Sequence, residues 1–191
     1  MAVIILGISW LVFGFGAFFL YVRAERERRS RPVTADGPEL RSSTSLYGLV
    51  LEMLAYAFVW LFSRPGAGHE PLLLVISGVL LAPASVAFFL WALLHLGREF
   101  RLQAVVGPGH QLVATGPYAA VRHPIYLSML GLLVSNAMVV SRWEAALAGL
   151  AVFIAGTEIR VRTEDGLLAR RFGEAFDRYR GRVPAYLPYF R

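Results

Sequence analysis

Three observations predict an all-α integral membrane fold of about five transmembrane helices: long apolar runs, few charges within them, and a one-sided distribution of arginine. Of 191 residues 57% are hydrophobic and 17% charged, with mean hydropathy +0.55, well to the apolar side of soluble usage. About half the chain is needed to cross a bilayer, so a large soluble catalytic domain is excluded and one membrane-embedded domain over 1–191 is expected. The formal net charge is +6 and there is no lysine, so all basic charges are arginines. They lie between apolar runs instead of forming a continuous basic face, which points away from nucleic acid and toward anionic membrane lipids as partners. The absence of cysteine removes disulfides, thiolate metal sites and cysteine nucleophiles, and no metal site is expected.

A spanning helix takes about 20 mostly apolar residues, fewer in a hairpin. The first candidate is Ala2 to Tyr21. Its basic cluster follows the apolar run, where a secretory signal would carry it in front, so the run reads as a retained span. Leu46 to Phe62 is shorter and carries Glu52. Leu72 to Leu96 contains Pro83 and ends near His95, and a kink at Pro83 is tolerable if neighbouring helices satisfy the freed carbonyl. Pro124 to Val140 and Trp143 to Ile159 are separated only by Ser141 and Arg142, which predicts a tight antiparallel hairpin. These elements divide the chain into three N-terminal spans (1–96) and a second half (97–191) holding a loop, the hairpin and a tail.

Seventeen of the nineteen arginines fall in the first and third connections and the tail; the other two connections hold Arg64 and Arg142 alone. The positive-inside rule puts the seventeen in the cytoplasm, the N-terminus outside and the C-terminus inside, as an odd number of spans requires. The cytoplasmic tail from Arg160 is expected to continue span five as an amphipathic helix, with Val161, Leu168 and Phe172 on one face, stopped by Gly181 and Pro184. Ser30 to Ser45 has proline, glycine and hydroxyl residues without periodicity, and reads as a plain linker.

Two polar clusters carry the candidate chemistry, both on the arginine-rich side. In GHQLVATGPYAAVRHPIY, His110, Tyr118, Arg122, His123 and Tyr126 stand among glycines that permit close backbone approach and prolines that stiffen the path. Such a loop can hold a ligand, or serve as an interfacial connector at headgroup level. In TEIRVRTEDGLLARRFG, Arg160 with Glu164 and Glu158 with Arg162 are spaced as i,i+4 ion pairs where a membrane helix emerges, and charge kept at that depth is a functional hypothesis by default. Glu52 and His95 stand alone and read as buried polar groups bonded to neighbouring helices.

The two clusters together resemble the isoprenylcysteine carboxyl methyltransferase family and its phospholipid methyltransferase relatives. The loop has the family's His, Gly-Pro-Tyr and Arg-His-Pro-x-Tyr elements. The tail RTEDGLLARRFGEAFDRYRGRVPAYLP is similar to its closing motif, with Asp165 where a second glutamate is usual and Phe176 where a tyrosine is common. The resemblance covers the chain from Gly97 onward.

It implies an integral membrane enzyme using S-adenosylmethionine, and no G-x-G-x-x-G after a predicted strand argues for a soluble nucleotide-binding fold instead. On this resemblance His110, Leu112 and Val113 line an adenine niche. Tyr118 and His123 face the methionine end, Arg122 suits its carboxylate, Glu164 suits ammonium or ribose, and Tyr126 belongs to the same cofactor-binding set. The implied acceptor is a lipidic or prenylated molecule whose carboxylate is held by Arg160, with Arg160 and Glu164 as the catalytic pair. Other readings stay open: a phospholipid amine or small thiol acceptor, a non-catalytic membrane scaffold, and a nicotinamide-dependent reductase, which needs more spans than are available.

Overall fold

The computed structural model describes residues 1–30, 39–63 and 71–186. Arg31, Arg64, half of the expected linker (31–38) and the end of the tail lie outside the described residues. Of the described residues 79% are helical. In chain order the helices are α1 (Ala2–Ser30), α2 (Thr44–Leu61), α3 (Leu72–Leu96), α4 (Pro124–Val140), α5 (Trp143–Phe172) and α6 (Glu174–Arg182). Two short strands, β1 (Leu40–Arg41) and β2 (Val105–Val106), pair antiparallel. This small ladder departs from an all-α expectation and ties the described end of the expected plain linker to the strand at Val105–Val106.

Helices α1, α2 and α3 are each long and apolar enough to cross a membrane. Helix α4 is apolar but 17 residues long, and α5 is apolar only in its first half, so the expected five spans are met by length and composition for three. Their outward faces carry large apolar side chains such as Phe15, Phe18, Leu61 and Leu73, an arrangement stable only against lipid or another apolar partner. Helix α3 runs unbroken through Pro83. The expected tight hairpin is corrected: α4 and α5 are joined by two residues, but α4 packs mainly on α3 and α5 mainly on α2.

Glycine explains that pairing. An added Cβ at Gly48 would lie 2.5 Å from the Gly156 carbonyl oxygen, and one at Gly156 would lie 2.7 Å from the Gly48 carbonyl oxygen. Such close backbone approach is how helices associate where lipid removes the hydrophobic drive. Gly78 makes a similar contact with α4 near Ser135 and Val139. Polar side chains tie the bundle further: Trp10 Nε1 donates to Asn136 Oδ1 at 3.0 Å, Tyr56 OH to the Met129 carbonyl at 2.6 Å, and Ser135 Oγ to the Gly78 carbonyl at 2.7 Å.

The connections sort into two ends. At one, Ser63 and Ser141 form an isolated bridge between the second and fourth connections. At the other, β1 meets β2, and Arg28 at the end of α1 donates to the carbonyls of Arg98 and Phe100. The arginine-rich segments therefore share one end, as the positive-inside count requires. The expected single tail helix is also corrected. Gly173, at φ +51°, ends α5 eight residues before Gly181, because the left-handed conformation is tolerated there without a side chain.

Gly48→Ala is expected to destabilise the protein by about 1 to 3 kcal/mol, the usual range for overpacking, whereas Gly7→Ala, which meets nothing within 4 Å, should leave stability unchanged. Thermal unfolding of both variants in detergent checks the difference.

Candidate active site

An open cleft, about 920 Å³ when the adjoining open solvent is included, lies at the arginine-rich end. It is lined by side chains from within residues 99–113 and 118–126, from the second half of α5, and by Phe176 and Tyr179 of α6. His110, Leu112, Val113, Tyr118, Arg122, His123, Tyr126, Arg160 and Glu164 all line it, so the two sequence clusters meet in one place.

Helix α4 begins at Pro124, whose missing N–H suits a first helical position, and its first turn aims Tyr126 inward. The Tyr126 hydroxyl accepts from Arg160 Nε at 2.9 Å and donates to Glu164. Arg160 and Glu164 are therefore joined through this phenol, not by the direct i,i+4 pair the spacing suggests. The Arg160 guanidinium lies over the Tyr126 ring, 5.1 Å from its centroid, and Nη2 donates to the Leu102 carbonyl at 3.2 Å. Its side chain is 9% exposed against 79% for Arg162, which fixes the face of α5 that meets the cleft. Glu158 and Arg162 do pair directly, at 2.7 Å on the outer face.

A clasp closes the far wall. Arg122 Nη2 donates to Asp165 Oδ2 at 3.1 Å, Arg122 Nη1 to the Val183 carbonyl, and His123 Nε2 lies 3.0 Å from Asp165 Oδ1. The Arg122 and His123 N–H groups donate to the Pro184 and Ala185 carbonyls at 2.8 and 3.0 Å, and Tyr179 OH donates to the Tyr118 carbonyl at 2.7 Å. Most of the Arg122 guanidinium, expected to face a ligand carboxylate, is thus engaged in holding the tail. Burial disfavours the charged form of Asp165, but hydrogen bonding and charge from His123 and then Arg122 outweigh it and hold its pKa below the ordinary carboxylate range. Burial also raises Tyr118 and pushes Tyr179 up to about 12, so both phenols are neutral donors.

Sequence reasoning missed several members. Glu99 Oε2 lies 2.8 Å from His110 Nδ1, and Arg98 Nε donates to Glu99 Oε1 at 2.9 Å. Burial opposes ionisation of Glu99, yet His110 and Arg98 hold its pKa below the usual value. Its place between two arginines in the polar loop was the available signal. Arg101, Phe176 and Tyr179 also line the cleft. Glu52 is buried and bonded to α5 as expected. His95 is not buried: its ring bonds the Trp91 carbonyl of its own helix and packs where a side chain at Gly116 would stand.

The polar atoms left over are informative. Arg101 Nε, Tyr118 OH and Arg122 Nε are buried and lack a hydrogen-bond partner among the described residues, and all three residues line the cleft. Orphaned polar atoms of this kind are costly unless a ligand or water satisfies them.

A model described as the isoprenylcysteine carboxyl methyltransferase family matches residues 76–170, the stretch that carries α3, the loop, α4 and the charged half of α5. The chain belongs to this family. A protein-S-isoprenylcysteine O-methyltransferase of Schizosaccharomyces pombe is 32% identical over 109 residues, covering 50% of this chain and 46% of the relative. The cobalt-zinc-cadmium resistance protein CzcN of Cupriavidus metallidurans is 35% identical over 125 residues (64% of this chain, 52% of the relative). The nickel-cobalt-cadmium resistance protein NccN of Alcaligenes xylosoxydans xylosoxydans is 42% identical over 79 residues (41% and 36%). The matches span about a third to a half of the length of these relatives. Family membership and three apolar helices make this a membrane protein.

Because the folded pKa of Asp165 is lowered, its contribution to stability is present above its unfolded value, about 3.9, and is lost as pH falls through the folded value. Asp165→Asn is therefore expected to lower stability at neutral pH and to flatten the loss seen on acidification below about pH 4, read by thermal unfolding across a pH series.

Proposed function

We propose that the protein is an S-adenosylmethionine-dependent membrane methyltransferase that methylates the carboxylate of a lipid-modified, isoprenylcysteine-like acceptor. One observation carries the reading: orphaned, buried polar atoms and charges of both signs converge on a single cleft at the rim of an apolar bundle. A zwitterionic, aromatic donor fits such a lining, because it brings hydrogen-bonding edges, an anion and a cation together. Family membership and the similarity to the fission-yeast enzyme support the same reading.

When bound, S-adenosylmethionine supplies a methyl group carried on a sulfonium. The chain's own residues have three tasks. His110, Leu112 and Val113 offer one polar and two apolar faces for an adenine. Tyr118 OH and the free Arg122 Nε edge are donors for the methionine carboxylate, and Glu164 is an acceptor for its ammonium or the ribose hydroxyls, with His123 beside it. Tyr126 works from behind, fixing Glu164 and Arg160 relative to each other. A carboxylate acceptor is already ionised and needs a positioning cation more than a base, and Arg160 supplies it. Alignment in a water-poor site then accounts for most of the catalysis available to an in-line displacement.

A second reading keeps the donor and changes the acceptor to a phospholipid amine or small thiol, which must lose a proton. His123 favours it, because Nδ1 lies 3.7 Å from Glu164 and Nε2 3.0 Å from Asp165, a geometry suited to proton transfer. Turnover of labelled donor against a prenylcysteine, phosphatidylethanolamine and simple thiols separates the two.

Calorimetry tests the donor site. Glu164→Gln is expected to weaken S-adenosylmethionine binding by about 1.5 to 3 kcal/mol, the worth of a charge-assisted hydrogen bond, and Tyr118→Phe by about 0.5 to 1.5 kcal/mol. Unchanged affinity in both would remove them from the donor shell. Arg160→Lys keeps the charge but loses the planar fork, so kcat should fall at least tenfold with donor affinity nearly unchanged; weak donor binding with normal turnover at saturation would place Arg160 in the donor site.

A further inference from the structure

Glu52 lies on α2, outside residues 76–170 matched by the family model, and does not line the cleft. Its side chain is 0% exposed, so no bulk water compensates its charge. Oε1 accepts from Thr157 Oγ1 of α5 at 3.0 Å. Oε2 has no hydrogen-bond partner among the described residues and sits 3.6 Å from Arg160 Nη1, too far for a hydrogen bond but close enough for strong attraction at low dielectric. The close approach of Gly48 and Gly156 sets this distance, since Glu52 and Arg160 each lie one turn beyond one of those glycines.

Each nitrogen of Arg160 has a different neighbour. Nε is held by the Tyr126 hydroxyl and Nη2 by the Leu102 carbonyl. Nη1 faces Glu52 without a directional bond. Both of its N–H groups are therefore left for an acceptor, against one on Nη2, and it carries a carboxylate beside it.

We infer that Glu52 is a built-in counter-ion of Arg160, a positioning residue that moderates the grip of Arg160 on an acceptor carboxylate and keeps the guanidinium compensated after methylation. The inference rests on the carboxylate acceptor proposed above. In that reaction the carboxylate oxygen forms the new bond to the methyl carbon as the methyl–sulfur bond breaks, with the bonding pair left on sulfur. The acceptor enters the cleft as an anion and leaves as a neutral ester. With Glu164 shared between the Tyr126 hydroxyl and the donor, a guanidinium lacking Glu52 would draw most of its nearby counter-charge from the substrate, hold it more firmly and be less compensated once the ester formed. Glu52 removes both difficulties without reaching the cleft.

The test uses the full chain in detergent and reads the affinities of a prenylcysteine carboxylate and its uncharged carboxamide by calorimetry, alongside donor affinity as a check of folding. Wild type is expected to prefer the carboxylate. Glu52→Gln keeps the shape and the partner for Thr157 but deletes the charge, and should enlarge the carboxylate-to-carboxamide preference at least about fivefold, with carboxamide and donor affinities unchanged. Glu52→Asp keeps the charge but withdraws it from Nη1 and should give an intermediate preference, which serves as well if the glutamine variant folds poorly. In an Arg160→Met background the Glu52→Gln change should move the preference no further.

If wild type prefers the carboxylate but Glu52→Gln leaves the ratio unchanged, or weakens both ligands alike, Glu52 is only a packing group and the inference is overturned while the acceptor assignment stands. If wild type shows no preference for the carboxylate, the acceptor assignment fails and takes the inference with it.

Discussion

Contact between the backbones of α2 and α5 at Gly48 and Gly156 sets the depth at which the cleft's charges lie. Without side chains at those positions the helices approach closely enough that the Arg160 stem packs directly on α2, where an added Cβ at Gly48 would stand 2.5 Å from Arg160 Cγ. Arg160 then has few rotamers left, and its guanidinium is directed along the helix toward Tyr126 and Leu102. The phenol of Tyr126 passes this order on to Glu164 on the same helix. A steric constraint between two glycines thus becomes an electrostatic arrangement at the mouth of the bundle.

Helix positions were largely legible in the sequence because apolar periodicity and length are local properties. The runs Leu72 to Leu96 and Pro124 to Val140 coincide with α3 and α4, and the arginine distribution groups the connections at two ends as the structure does. Partner choice was not legible. That α5 lies on α2 and α4 on α3, despite the two-residue turn joining α4 to α5, follows from glycine and small-residue faces that look alike on every apolar helix. The break at Gly173 was likewise hidden, since a glycine after a charged amphipathic stretch signals a stop no more strongly than Gly181 does.

The site divides along the same line. Its lining came from two motifs that carry chemistry in residue type alone, so His110, Tyr118, His123, Arg160 and Glu164 could be named beforehand. What those groups bond to could not. The assignment of Arg122 to a ligand took no account of Asp165 and the tail carbonyls, and the pairing of Arg160 with Glu164 by helical spacing overlooked the intervening phenol. Glu99 and the role of Glu52 went unread for a further reason: each acquires meaning only through its partner, His110 in one case and Arg160, 108 positions away, in the other.

The clasp between residues 122–123 and residues 183–185 also has a temporal side. The two N–H groups it satisfies precede the first turn of α4, and their acceptors are synthesised some sixty residues later. Helices α1 to α4 are complete more than forty residues before those carbonyls, whereas α5 ends only eleven residues before Val183. Until those carbonyls are made, the wall formed by Arg122 and Asp165 has no backbone to close on. A product truncated before Val183 would lack those acceptors and leave this wall of the cleft unclosed.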